Sequence, residues 1–172
     1  MALKLILMRH AKSDWGTPGQ DDFDRPLNGR GRNSANAMAG WLLENGHVPD
    51  TVLVSGAKRT VETWDRMSRI MAGLTLMESV PALYLSAAET ILNVIRTRSA
   101  GALLVICHNP GISEFARRIV TTPPDDDRFQ SYPTAATTVI EFDADRWDQV
   151  TWASGNVLQF AVPRDLLDQT PG

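Results

Sequence analysis

The chain has 172 residues, of which 43% are hydrophobic and 22% charged, a balance typical of a globular domain and not of a disordered chain. Its formal net charge of −3 argues against a general nucleic-acid binder, because such proteins usually present a basic face. A chain of this length buries about 70% of its extended surface on folding, so a core needs neither disulfides nor a structural metal. We therefore expect one domain over residues 1–172.

The chain contains one cysteine, Cys107, which excludes an intrachain disulfide framework and favours a reducing compartment. No apolar run approaches the roughly 18 residues that a membrane-spanning helix needs. The apolar residues 1–8 are too short for a secretory signal and lead into Arg9 without a small-residue cleavage site. These features predict a cytoplasmic protein that binds neither nucleic acid nor membrane.

Strand-length apolar runs alternate with segments of helical period along the chain. In chain order, the sequence predicts a strand over 3–8, a loop over 13–28, a helix over 31–45, a strand over 52–54, a helix over 57–72, a strand near 74–77, a helix over 87–98, a strand over 102–107, a helix over 110–120, a loop over 121–133, and an edge hairpin of 136–142 with 156–162. This alternation is the pattern of an α/β domain. Continuous apolar strands are typical of strands covered on both faces, so we expect a three-layer sandwich with helices on both sides of a mainly parallel sheet.

Basic and imidazole side chains follow the predicted strands. Arg9 and His10 end the first strand, Arg59 lies in the first turn of the helix after the second, and His108 follows the strand that ends at Cys107. Ligands of open α/β sheets bind at the carboxyl ends of the strands. Two of the chain's three histidines therefore stand at the edge where a ligand site is expected.

Each of these residues alone has a structural explanation, such as a salt bridge or a hydrogen-bonded imidazole. Arg59 is unusual, because the helix dipole disfavours a cation in the first turn unless an anion is bound there. Converging cations repel one another unless an anion lies between them. Phosphate fits best, since guanidinium groups bind its oxygens in a bidentate manner.

Other phosphate and hydrolase chemistries lack their motifs. The chain has no Gly-Lys-Ser/Thr sequence for a P-loop and no Gly-x-Ser-x-Gly sequence for a serine hydrolase. Ser34 stands where the dinucleotide fingerprint needs glycine, and Ser113 stands where a cysteine phosphatase needs arginine. Arginines would repel a divalent cation held by the histidines, so we expect phosphoryl transfer without a metal or other cofactor.

Three motifs, taken in order, resemble those of the histidine phosphatase superfamily, which has the phosphoglycerate mutase-like fold. Arg-His-Ala at 9–11 stands at the superfamily's Arg-His-Gly signature. Ser-Gly-Ala-Lys-Arg-Thr at 55–60 resembles the second-arginine motif, and His-Asn-Pro at 108–110 the second-histidine motif. The resemblance extends from residue 3 to about residue 162.

Further segments are similar to the SixA-type phosphohistidine phosphatase branch of this superfamily. They are Arg-His-Ala-Lys-Ser-Asp-Trp at 9–15, Asp-Arg-Pro-Leu at 24–27 and Tyr-Pro-Thr at 132–134. The resemblance implies that His10 is the nucleophile and that the side chains that bind the phosphoryl group are Arg9, Arg25, Arg59 and His108.

The chain departs from the family pattern at three positions. Ala11 replaces glycine, and Gly56 replaces the usual proline before the second arginine. Residues 82–84 lack the acid that many relatives carry there as a proton donor. Sequence leaves open whether another carboxylate replaces it, the candidates being Asp14, Asp24 and Glu89, or whether there is none. For Arg25, a salt bridge with Asp22 or Asp24 is as good an explanation as phosphate binding.

The mechanism that the resemblance implies is in-line attack by neutral His10 on phosphorus, followed by hydrolysis of the phosphohistidine. We expect the surrounding arginines to keep His10 unprotonated by like-charge repulsion. The missing acid favours phosphohistidine on a protein as substrate, because its imidazole leaving group can take a proton from solvent. The alternatives are a phosphomonoesterase of small metabolites and a weakly active module that binds phosphate or phosphoproteins. Loops 13–28 and 121–133 are expected to border a shallow, open site, and Trp15 is a candidate substrate contact.

Overall fold

The computed structural model describes residues 2–73 and 75–167. Its strands are β1 Leu3–Arg9, β2 Thr51–Val54, β3 Leu76–Ser79, β4 Ala102–Cys107, β5 Thr137–Phe142 and β6 Asn156–Ala161. Its α-helices are α1 Gly29–Glu44, α2 Lys58–Met71, α3 Ala88–Ile95, α4 Gly111–Ile119, α5 Asp127–Ser131 and α6 Pro163–Leu167. No helix in these ranges is both long enough and apolar enough to cross a bilayer.

The strands form one sheet in the order β3-β2-β4-β1-β5-β6. The neighbours β3, β2, β4 and β1 are parallel, whereas β5 runs antiparallel to both β1 and β6. The prediction of a mainly parallel sheet is confirmed. Because β2, β4 and β1 are adjacent and parallel, their carboxyl ends meet at one edge of the sheet.

Strand β1 shows why the apolar runs are continuous. Leu5 and Leu7 pack on one face of the sheet, in the core formed with α3, α4 and α5. Ile6 and Met8 pack on the other face, in the core formed with α1 and α2. Alternate side chains of a strand point to opposite faces, so a strand covered on both sides needs apolar residues throughout. The predicted three-layer sandwich is confirmed.

The structure differs from the sequence prediction at the less buried elements. Strand β3 begins at Leu76, two residues later than predicted, and Leu74 lies outside the described residues. All four residues of β3 are exposed, so the sequence contains no run of apolar residues that marks the bounds of this strand. Strand β5 lies inside the sheet, and only β6 of the predicted hairpin is at the edge. Helix α6 was not predicted.

The predicted loop 121–133 contains the short helix α5. The Asp126 side chain accepts a hydrogen bond from the backbone N–H of Arg128, 2.9 Å away, and Phe129 is buried in the core. Aspartate is a good helix N-cap, so the acidic run 125–127 begins a helical turn within the segment predicted as a loop.

The start of α1 is fixed against the segment that follows β1. The Asn28 side chain accepts a hydrogen bond from Gly31 N–H at 2.8 Å, and the Asn28 N–H donates to the Lys12 carbonyl at 3.0 Å. A Cβ atom on Gly31 would lie 2.0 Å from that carbonyl oxygen. Only glycine allows so close a contact, so the first turn of α1 lies directly on the backbone of Lys12.

Candidate active site

The sheet topology brings the predicted site residues together. Arg9 pairs in register with Cys107 across β1 and β4, so His10 and His108 follow at the same level of neighbouring strands. Their ring centroids are 5.3 Å apart. Arg59 enters from the first turn of α2, which follows β2 on the other side of β4.

His10 is buried, and one of its ring nitrogens forms a hydrogen bond with the backbone. Its Nδ1 lies 2.7 Å from the Ala11 carbonyl oxygen. A carbonyl can only accept, so Nδ1 carries the proton and donates. In a neutral imidazole the lone pair is then on Nε2, which makes Nε2 the nucleophilic nitrogen of this ring.

His108 is buried and held by both ring nitrogens. Its Nδ1 lies 3.2 Å from Nη2 of Arg59, and its Nε2 lies 2.6 Å from Ser55 Oγ. Guanidinium groups only donate, so Nδ1 accepts, and the Nε2–H of the neutral ring donates to Ser55. Ser55 also lies 3.0 Å from Thr60 Oγ1. Ser55 therefore fixes the orientation of His108, a role that the sequence analysis did not give it.

Three arginines surround the imidazoles. Arg59 is 2% exposed and donates to the backbone oxygen and the carboxylate of Asp22 at 2.7 and 3.0 Å. Arg9 donates to the Tyr132 carbonyl at 3.2 Å, and the Nε of Arg25 donates to Asp22 Oδ1 at 3.2 Å. The structure thus brings together all five side chains that the sequence singled out for phosphate chemistry.

Each arginine keeps a buried N–H group without a hydrogen-bond partner among the described residues. These groups are Nε of Arg9, Nη1 of Arg25 and Nε of Arg59. A buried donor that makes no hydrogen bond is unfavourable by about 1–3 kcal/mol, more when the group is charged. The three guanidinium groups line one cavity, an arrangement that suits an anion with several acceptor oxygens.

The cavity beside these side chains has a volume of about 490 Å³. We call it the phosphate cavity; its wall includes Arg9, His10, Arg25, Arg59 and His108. Loop 13–28 contributes to its border as predicted, and loop 121–133 contributes its last residue. Two apolar side chains on this border, Trp15 and Leu85, are 78% and 55% exposed, and the Arg25 guanidinium carbon lies 3.3 Å from the centre of the Trp15 ring.

Both imidazoles are held in the neutral form. Burial lowers the pKa of His10 to about 3, with His108, Arg9 and Arg59 adding to the effect and the Ala11 hydrogen bond opposing it. Burial also lowers the pKa of His108 to about 3, followed by the charge of Arg59. The sequence analysis attributed the neutral state to arginine repulsion, but removal from water is the larger cause.

These pKa values predict that stability falls on acidification. Between pH 6.5 and 5, imidazoles of the unfolded chain bind protons that the folded protein does not, so unfolding becomes more favourable as pH decreases. Each buried histidine should lower the free energy of unfolding by about 1 kcal/mol per pH unit in this range. Urea unfolding at several pH values would measure the slope. The double variant His10→Asn, His108→Gln should flatten it, and an unchanged slope would contradict the assignment.

None of the three carboxylates proposed as substitutes for the missing acid lines the phosphate cavity. Glu89 pairs with Arg118 at 2.6 Å on the surface. Asp14 accepts a hydrogen bond from the Gly16 N–H at 2.8 Å, and Asp24 is an exposed residue of a 3₁₀ turn.

The carboxylate that does line the cavity is Asp22. Partial burial opposes its ionisation, but hydrogen bonds from Tyr84 and Arg59, with the charges of Arg59 and Arg25, outweigh burial and lower its pKa. Asp22 is therefore ionised at neutral pH and carries no proton to donate. For Arg25, the salt bridge with Asp22 exists and the side chain also lines the cavity, so the two explanations are compatible.

Within residues 2–73 and 75–167, no group of three or more His, Cys, Asp or Glu side chains is arranged to hold a metal ion. The third histidine, His47, lies elsewhere. Its ring nitrogens contact Lys4 Nζ at 3.1 Å and Gln159 Oε1 at 2.5 Å.

Comparison with known proteins agrees with this geometry. Residues 5–74 match the model of the histidine phosphatase superfamily (branch 1). The chain is 32% identical, over 91% of its length, to the whole of an uncharacterized protein of Mycobacterium leprae. It is similar to the structure of a protein from Nakamurella multipartitia assigned as a phosphohistidine phosphatase SixA, with TM-score 0.79, 25% identity, and coverage of 95% of this chain and 97% of that one.

The chain also shares its fold with the protein histidine phosphatase SixA complexed with tungstate. The TM-score is 0.77 and the identity 20%, and the match covers 95% of this chain and 99% of that one. The predicted phosphoglycerate mutase-like fold is confirmed. The chain belongs to branch 1 of the histidine phosphatase superfamily.

Proposed function

We propose that this protein is a metal-independent phosphatase that forms a covalent phosphohistidine on His10 and takes phosphohistidine on proteins as substrate. The observation that carries the proposal is the pair of buried imidazoles, 5.3 Å apart, beside three guanidiniums with unpartnered N–H groups. Such donors suit a phosphoryl group, whose transfer mainly requires positioning and stabilisation of charge on its oxygens.

In the first step, Nε2 of His10 attacks phosphorus. A bond forms between Nε2 and phosphorus, the bond between phosphorus and the substrate imidazole breaks, and that imidazole takes a proton from water. Arg9, Arg25 and Arg59 bind the phosphoryl oxygens. An oxyanion next to His108 favours the charged form of that ring. Protonation of Nδ1 replaces the hydrogen bond that it accepts from Arg59 in the structure, so that Nδ1–H and Arg59 both donate to the phosphoryl oxygens.

In the second step, a water molecule attacks phosphorus in line with His10. The new bond joins the water oxygen to phosphorus, the bond to Nε2 breaks, and inorganic phosphate leaves with His10 again neutral. The hydrogen bond from Nδ1 of His10 to the Ala11 carbonyl, at 2.7 Å, keeps Nε2 in the attacking position through both steps.

The state of Asp22 supports a phosphoramidate substrate. An alkoxide leaves poorly without an acid, and the carboxylate that lines the cavity has a lowered pKa. A phosphorylated imidazole needs no protein acid, because solvent can protonate its second ring nitrogen. The ionised state of Asp22, which lines the cavity, therefore supports a phosphoramidate substrate over an ester.

We expect kcat/KM to be at least about 10²-fold higher for a phosphohistidine peptide than for a sugar phosphate, the size of effect typical of losing general acid catalysis. Release of inorganic phosphate from each substrate would measure this, and added chelator should change neither rate. Clear preference for the sugar phosphate would favour a metabolite phosphomonoesterase instead. Binding of both ligands without turnover would favour a binding module.

A further inference from the structure

A second cavity adjoins the phosphate cavity. It has a volume of about 620 Å³, and Lys12, Pro133 and Thr134 border both cavities. Its other walls come from the first turns of α1, the end of α5 and helix α6. We call it the basic groove. Its volume is in the range of ligand-binding clefts.

The basic groove is positively charged although the chain as a whole is acidic. Among the residues that the structure describes, its lining includes Lys12, Arg30, Arg128 and Arg164 and no Asp or Glu. The charge of Arg128 is offset by ion pairs with two aspartates at 2.8 and 2.7 Å. Lys12 and Arg30 are exposed, and neither forms an ion pair with a residue in the described ranges. These two side chains provide the attraction for an anionic ligand.

The two cations are held close to each other and to the phosphate cavity. The first turn of α1 contacts the Lys12 backbone through Gly31 and through the 3.0 Å hydrogen bond from Asn28. Arg30 lies between Asn28, the N-cap residue of α1, and Gly31. Lys12 lines both cavities, whereas Arg30 lines only the basic groove, so a ligand that extends from the phosphate cavity into the groove meets Lys12 before Arg30.

The groove is not lined by charge alone. Val162 and Pro163 are buried, and Leu167 is 41% exposed, so apolar side chains form part of the wall. The side chains of Asn33, Ser34 and Ser131 add hydrogen-bonding groups. An acidic stretch of polypeptide, with aliphatic stems as well as carboxylates, matches this combination better than a small inorganic anion does.

We propose that the basic groove binds acidic residues flanking the phosphohistidine of a protein substrate, and so selects phosphoproteins whose phosphorylated histidine lies in an acidic segment. This inference rests on the proposed function. It assigns Arg30 as a specificity-determining residue outside the reacting centre.

Two phosphohistidine peptides of equal length would test this proposal, one with glutamates and the other with glutamines around the histidine. We expect KM of the wild-type protein to be about tenfold lower for the glutamate peptide, with similar kcat, because complementary charge acts on association. Arg30→Glu should remove this difference and leave turnover of phosphoimidazole unchanged. Added salt should reduce the difference in KM between the two peptides for the wild-type protein, since exposed charges are screened.

Arg117→Glu is the matched control, because Arg117 is also exposed but lies on α4, on the opposite face of the sheet. It should retain the preference. Equal KM values for the two peptides, or equal effects of Arg30→Glu and Arg117→Glu, would overturn the proposal. If no phosphohistidine substrate is hydrolysed, the proposed function fails. Fluorescence anisotropy with the unphosphorylated glutamate peptide then tests separately whether the basic groove binds acidic segments. Binding that Arg30→Glu abolishes would support this role of the groove, and absence of binding would refute it.

Discussion

Replacing His10 by asparagine is expected to lower turnover by about 10⁴-fold or more and to abolish covalent labelling of the protein. Asparagine retains a polar side chain of similar size but has no nitrogen lone pair able to attack phosphorus. His10 Nε2 is the nitrogen left free by the 2.7 Å contact with Ala11. Both ring nitrogens of His108, the other imidazole of the cavity, are in hydrogen bonds, so His108 is not placed to attack instead.

The measurement uses a labelled phosphodonor, an alkaline quench and detection of protein-bound label that is stable to base and lost in acid. His47→Asn is the control, because His47 is also buried but lies among Lys4 and Gln159, away from the phosphate cavity. That variant should label like the wild type. Labelling of His10→Asn at the wild-type level would refute the assignment of the nucleophile.

The second large effect is expected for Arg59→Lys, which keeps the charge and removes the guanidinium. Arg59 is almost completely buried and its Nη atoms contact both Asp22 and His108. A lysine cannot make these contacts and also donate to a phosphoryl oxygen, because it offers one nitrogen in place of three. We expect kcat to fall about 10²–10³-fold, as when one donor to a developing oxyanion is removed.

Steady-state kinetics of Arg59→Lys should be compared with those of Arg69→Lys. Arg69 is on the same helix, is exposed, and pairs with Asp65 at 2.8 Å. The control should retain the wild-type kcat, and circular dichroism should show that both variants are folded. An Arg59→Lys kcat within threefold of the wild type would exclude Arg59 from the reaction.

The strands that precede His10 and His108 were predictable because burial on both faces leaves a continuous apolar run in the sequence. The strand order was not needed to infer the site, since parallel strands present their carboxyl ends at one edge. Strand β3 was predicted two residues too early, and helix α5 was predicted as part of a loop, for the opposite reason. The boundaries of β3 follow from pairing with β2, and α5 begins at an aspartate cap, so hydrophobic periodicity marks neither element.

Asp22 and Tyr84 were beyond the reach of sequence reasoning as site residues. Tyr84 donates to the Asp22 carboxylate at 2.5 Å across 62 residues of chain, and Arg59 reaches the same carboxylate from α2. Such contacts depend on how a loop folds back over the sheet, and the residues around each position in the sequence do not indicate this. The sequence offered Asp22 and Asp24 as alternative ion-pair partners of Arg25, and the structure shows the pair with Asp22.

The 5.3 Å between the two imidazoles is close to the roughly 4.8 Å that separates neighbouring strands of any sheet. Because one histidine follows β1 and the other follows β4, the hydrogen-bond ladder between these strands maintains the distance between the rings. Other side chains that line the phosphate cavity, such as Trp15, Asp22 and Leu85, come instead from loops and turns. Insertions or exchanges in those segments can therefore alter the range of accepted molecules during evolution or by engineering, while the spacing of the reacting pair is inherited unchanged.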